Sequence, residues 1–111
     1  MQFIPPKRLH ESNIQAEAYR QLRNNNIKCC LEYTIHCKEF NSKVRADIVI
    51  IEDGQIILII ECKSRVKKLE PNFKGRQYQK YQSLSIPVIY CMNFTQAKNI
   101  ADKVMPYLST K

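Results

Sequence analysis

Asp47, Glu61 and Lys63 are the residues whose types and spacing could do chemistry. Glu61 and Lys63 are two apart, so in a strand they share a face while Cys62 points the other way. Asp47 precedes the apolar run Ile48–Ile51, and Glu61 follows the run Ile56–Ile60. Between the runs lies Asp53-Gly54, which predicts a hairpin because both central residues of a type I′ turn need positive φ. That hairpin carries Asp47 and Glu61 to its open end. Ionisable groups beside strands this apolar are costly to bury unless they are paired or bind a cation. Two converging carboxylates suit Mg²⁺, which takes few protein oxygens, keeps waters and bridges to phosphate. Lys63 would then orient an attacking water and stabilise developing negative charge.

Other elements must deliver the rest of such a site. A helix is predicted from Pro6 or a Ser12 cap, with Gln15 completing a capping box, to the left-handed stop at Asn24-Asn25-Asn26. Ile14, Ala18 and Leu22 form its buried stripe. At 100° per residue Glu11 lies within about 20° of the stripe's centre and Glu17 about 105° away. Glu11 is therefore the carboxylate this helix would bring to the hairpin, with Glu17 as its substitute. Residues 27 to 35 alternate as a half-buried strand, with Ile27, Cys29, Leu31, Tyr33 and Ile35 on one face. A polar connection, His36 to Lys43, leads into the hairpin. A helix follows near Arg76–Leu84, placing Gln77 and Tyr81 on one face by i,i+4 spacing, within reach of the lysine, a water or a phosphate. A strand over Val88 to Met92 and a helix from a Thr95 cap to about Met105, disrupted by Pro106, complete the order α-β-β-β-α-β-α.

With 111 residues, 44% of them hydrophobic, the chain reads as one α/β domain over 1–111, residues 1–7 forming an arm. No apolar run is long enough to cross a membrane and no signal-peptide core follows Met1, so a cytoplasmic or nuclear setting is expected. Five cysteines without CxxC spacing read as reduced, buried thiols rather than a zinc or iron–sulfur site. Lys and Arg outnumber Asp and Glu by 18 to 10. Arg65, Lys67, Lys68, Lys74, Arg76 and Lys80 crowd the stretch after Lys63, and with Arg45 they are the expected phosphate contacts.

Asp-x(13)-Glu-x-Lys resembles the signature of the PD-(D/E)xK nuclease superfamily. Arg45-Ala46-Asp47 looks like the R-x-D form of its RecB-like branches, with Ala46 where a proline often stands. Gln77-Tyr78-Gln79-Lys80-Tyr81 matches their Q-x-x-x-Y motif, and Glu11 to Gln15 is similar to the start of VRR-type and restriction-type nucleases. The resemblance spans roughly Glu11 to Met105. It implies a restriction-endonuclease-like core: a helix, a three-stranded antiparallel meander, a helix, a further strand and a C-terminal helix around a mixed sheet. It also implies hydrolysis of DNA phosphodiesters with Mg²⁺, or Mn²⁺ in its place. Glu11, Asp47 and Glu61 would be the acidic residues, Lys63 catalytic, and Gln77 and Tyr81 supporting. The cysteine cluster of some RecB-like relatives is missing, so no iron–sulfur centre is implied. Gln15-Ala16-Glu17 also resembles the opening of Holliday-junction resolvases. The other readings are a non-catalytic nucleic-acid-binding module that keeps the fold, and an accessory domain. A core this small would grip little DNA alone, so a homodimer or a larger nucleoprotein partner is expected.

Overall fold

The computed structural model describes residues 7–38, 42–63 and 76–109, and only the backbone at 7–11, 76–78 and 80. Helix α1 (Lys7–Asn24) is followed by strands β1 (Cys29–Cys37), β2 (Ser42–Glu52) and β3 (Gln55–Cys62). Then come α2 (Arg76–Leu84), β4 (Val88–Cys91), α3 (Phe94–Lys98), α4 (Ile100–Val104) and a 3₁₀ turn, Met105–Tyr107. The described strands form one sheet in the order β1-β2-β3-β4. β1, β2 and β3 make an antiparallel meander, and β4 joins β3 in parallel after the α2 crossover. This is the mixed α/β arrangement expected from the sequence, and it is compatible with a restriction-endonuclease-like core. No helix among the described residues is long and apolar enough to cross a membrane.

Two clusters sandwich the sheet. On one face Ile14, Ala18 and Leu22 of α1, with Ala97, Ile100 and Val104, pack on Ile48, Ile50, Leu58, Ile60, Cys62 and Cys91. On the other, Tyr81 of α2 packs on Ile35, Val44, Ala46, Val49 and Ile59. The hairpin turn has φ of 53° at Asp53 and 76° at Gly54, the two left-handed residues that a type I′ turn requires. Helix α1 ends as expected. Asn26 is left-handed (φ 58°), and the Ile27 N–H reaches back to the Leu22 carbonyl at 2.9 Å, a Schellman-type closure.

Several expectations are corrected. β1 does not keep one inward face, because Cys29 belongs to the α1 side and Ile35 to the α2 side. Leu31 and Tyr33 between them are exposed. The cause is Glu32, whose φ of 45° turns the strand over and breaks the period of two. Both ends of the supposed polar connection are strand, since β1 extends through His36 to Cys37 and β2 begins at Ser42. Lys7 belongs to α1 rather than to an arm. The last helix is capped by Asn93, not Thr95. The Asn93 side chain accepts the Gln96 N–H at 2.8 Å, a bond Thr95 is placed too late to make. It also breaks at Asn99, whose side chain donates to the Thr95 carbonyl at 3.0 Å and competes with the helical ladder.

Candidate metal and catalytic centre

The site is built where β2 parts from β3. Their register runs through Val49↔Ile59 to Ile48↔Ile60, and the next position would set Asp47 against Glu61. There the side chains take over from the backbone ladder. The Asp47 N–H donates to Glu61 Oε2 at 3.2 Å, and the Cys62 N–H donates to Asp47 Oδ2 at 2.8 Å. Each carboxylate thus replaces a carbonyl acceptor that the opening strands withdraw. The phase of β2 changes at the same point, since Ala46 belongs to the α2 side and Ile48 to the α1 side. Glu32, with its left-handed backbone, falls opposite Asp47 between the pairs Leu31↔Ile48 and Tyr33↔Ala46. A regular strand would have left Asp47 in the ladder; the irregularity turns it to the mouth of the fork.

Glu61 follows Ile59 on the α2 face and is 2% exposed. Tyr81, itself 1% exposed, donates its O–H to Glu61 Oε2 at 2.7 Å, with the Arg45 carbonyl a longer second acceptor at 3.4 Å. Every hydrogen bond from a described residue falls on Oε2, none on Oε1. Burial pushes the Glu61 carboxyl up to about 7, and the Asp47 charge adds to it. Tyr81, the Asp47 N–H and the Lys63 charge pull the other way without restoring the ordinary value. A carboxyl held this way gains from a nearby cation. Lys63 is half-buried just beyond β3, its N–H bonded to the Cys91 carbonyl at 2.9 Å.

The predicted residues meet unequally. Asp47, Glu61 and Tyr81 form one bonded group, with the Lys63 charge acting on it. Glu11 lies in α1 and Gln77, Arg76 and Lys80 in α2, with side chains outside the described residues; Arg65, Lys67, Lys68 and Lys74 lie wholly outside them. Arg45 is exposed and 3.8 Å from Glu32, a loose surface pair of little energy. Glu17 corrects the view of it as a flank residue. It is buried (8% exposed), bound by Arg20 at 2.9 Å and Gln21 at 2.8 Å, and the Gln21 bond followed by Arg20 holds its carboxyl below the usual range.

Sequence reasoning missed one contributor. Gln15 reaches the Asp47 carbonyl from α1, at the long distance of 3.5 Å. Its place one turn after Glu11, on the sheet side of the helix, was the available signal. Asp47 and Glu61 fit a hard divalent cation in donor type, since Mg²⁺ is commonly held by one or two carboxylates plus water and phosphate oxygens. Among the described residues no third acidic, histidine or cysteine ligand joins them.

The family model for the N terminus of the type I restriction enzyme R protein matches residues 6–103, nearly the whole chain and every residue of this site. The chain belongs to this family. This chain is also similar to the crystal structure of AF1548, a protein of unknown function. The two are 18% identical over 82% of this chain and 54% of that one, with a TM-score of 0.41, so the chain spans about half of that protein's length. No curated protein is significantly similar to it in sequence.

Proposed function

We propose that this domain hydrolyses DNA phosphodiesters in a divalent-metal-dependent way, as a PD-(D/E)xK nuclease. One observation carries the reading: the β2–β3 ladder opens at a crossed pair of carboxylates, Asp47 and Glu61, with Lys63 two residues on. Membership of a restriction-enzyme family supports it. Asp47 and Glu61 would hold Mg²⁺ or Mn²⁺, with Glu11 as the helix-borne third acid, since α1 reaches the fork through Gln15. The bound cation would supply charge for the phosphate oxygens and a more acidic water. Tyr81 fixes the Glu61 rotamer and occupies Oε2, which would leave the other carboxylate oxygen for a cation. Lys63 positions the attacking water, and Gln77 stands one turn before Tyr81 in support. Arg45, Arg65, Lys67, Lys68, Lys74, Arg76 and Lys80 would meet the phosphates. A second copy or a larger partner would extend the grip on DNA.

The test incubates the protein with plasmid, single-stranded and branched DNA in Mg²⁺, in Mn²⁺ and in EDTA. Cleavage with either metal that is lost in EDTA, in Glu61→Ala and in Lys63→Ala is the expected result. Cutting that persists in EDTA or survives both substitutions overturns it. Strong, salt-dependent binding without cutting of any substrate would instead make the domain a nucleic-acid-binding module.

A further inference from the structure

A second feature lies at the same end of the sheet. The parallel register ends at Cys62 and Cys91, and the Lys63 N–H bonds the Cys91 carbonyl at 2.9 Å, so the chain leaving β4 starts next to the Lys63 backbone. From there Met92, Asn93 and Phe94 form one wall of a groove of about 640 Å³, and Asn13, Glu17 and Arg20 of α1 help form the other. The volume is of the size that takes a small organic group. Phe94 is large and apolar, yet 48% exposed at the groove. The Lys98 ammonium lies 5.9 Å from its ring centroid. Arg20 is held by a bidentate contact from Glu17, whose burial costs free energy that a purely solvated pair would not. Here Arg20 and the Lys98 over Phe94 outnumber Glu17.

We infer that this groove receives an unpaired nucleobase of the DNA strand whose phosphate lies at Lys63, stacked on Phe94, with its backbone beside Arg20 and Lys98. The inference rests on the nuclease reading and adds a substrate class to it: DNA with single-stranded, frayed or flapped nucleotides at the cut. An exposed aromatic ring flanked by cations is the usual platform for single-stranded nucleic acid, because every base offers a π-face and every linkage a negative charge. A base inside an intact duplex has its faces covered and cannot stack there. The Lys98 ammonium beside the Phe94 ring and the exposed Arg20 favour this occupant over an apolar peptide.

The test is fluorescence anisotropy of the full chain with a labelled oligodeoxythymidine in EDTA, where nothing is cut. Phe94→Ala and Phe94→Leu are expected to weaken binding roughly tenfold, as one lost base stack does, and Phe94→Trp to retain it. A blunt duplex should bind all four proteins within about twofold of one another. An oligonucleotide carrying 5-iodouracil should photo-crosslink to the peptide containing Phe94. Equal affinity in all four proteins, failure of tryptophan to retain binding, or an equal loss on duplex overturns the inference. Circular dichroism shows whether each variant is folded. Failure here is separable from failure of the nuclease reading: cleavage with Phe94-independent binding removes only the base site, and Phe94-dependent binding without cleavage removes only the catalysis.

Discussion

Glu61→Gln turns a buried carboxyl that titrates at about 7 into a neutral amide of nearly the same shape. In the unfolded chain the same carboxyl titrates near its ordinary 4.5, so between these values the folded protein binds the extra proton. The folded pKa is the higher one. Its stabilising contribution is therefore complete below 4.5 and is lost as pH rises through 7. At about 1.36 kcal/mol per pH unit the gap corresponds to roughly 3 kcal/mol, of which about 2.5 falls between pH 5 and pH 8. Metal-free wild type should thus lose about 2.5 kcal/mol more than Glu61→Gln over that range. Urea denaturation in EDTA at the two pH values, on both proteins, measures the difference directly. Taking the difference between proteins removes the titration of groups that do not interact with Glu61. Saturating Mn²⁺ at pH 8 should then stabilise wild type more than the variant, because the ionised Glu61 carboxylate is a better ligand for the cation than the amide. Parallel pH profiles for the two proteins would refute the burial argument, and equal stabilisation by Mn²⁺ would refute the metal argument.

Four further outcomes are expected. Tyr81→Phe removes the 2.7 Å bond to Glu61 and should cost about 1–2 kcal/mol in urea denaturation, with weaker Mn²⁺ binding by calorimetry because the carboxylate loses a donor. Asp47→Ala leaves the Cys62 N–H without its acceptor and should cost about 1–3 kcal/mol and all cleavage, whereas Asp47→Asn should keep most of the stability and lose the cleavage. Glu11→Ala should weaken Mn²⁺ binding by at least about tenfold while Glu17→Ala leaves it unchanged, since Glu17 is already committed to Arg20 and Gln21. Gly54→Ala should cost about 1 kcal/mol in the urea midpoint through its positive φ alone, because an added Cβ meets nothing within 4 Å.

The hairpin, the element order and the meeting of Asp47 with Glu61 were legible because they depend on local signals. Asp53-Gly54 specifies the turn, and strand period then fixes which end each carboxylate reaches. Tyr81 was legible as a residue of the site from its helix spacing, but its partner is Glu61 rather than the lysine, a water or a phosphate. What stayed hidden depends on contacts between elements. The alternation from Ile27 to Ile35 looked unbroken, and nothing local marks Glu32 as left-handed; the twist belongs to the fork opposite, at Asp47. Glu17 looked like a flank residue by helix angle, yet it is buried and bound by Arg20 and Gln21. Helical geometry alone cannot say what packs beside a helix. Thr95 and Asn93 are both good caps, and the end of β4 at Cys91 decides between them.

The most direct test of the metal-holding fork is a Mn²⁺-soaked crystal examined by anomalous scattering. The account predicts one strong peak roughly 2.0–2.3 Å from carboxylate oxygens of both Asp47 and Glu61, absent from a crystal of Asp47→Asn. A well-diffracting wild-type crystal with no peak at the fork, or with its peak away from both carboxylates, would contradict it.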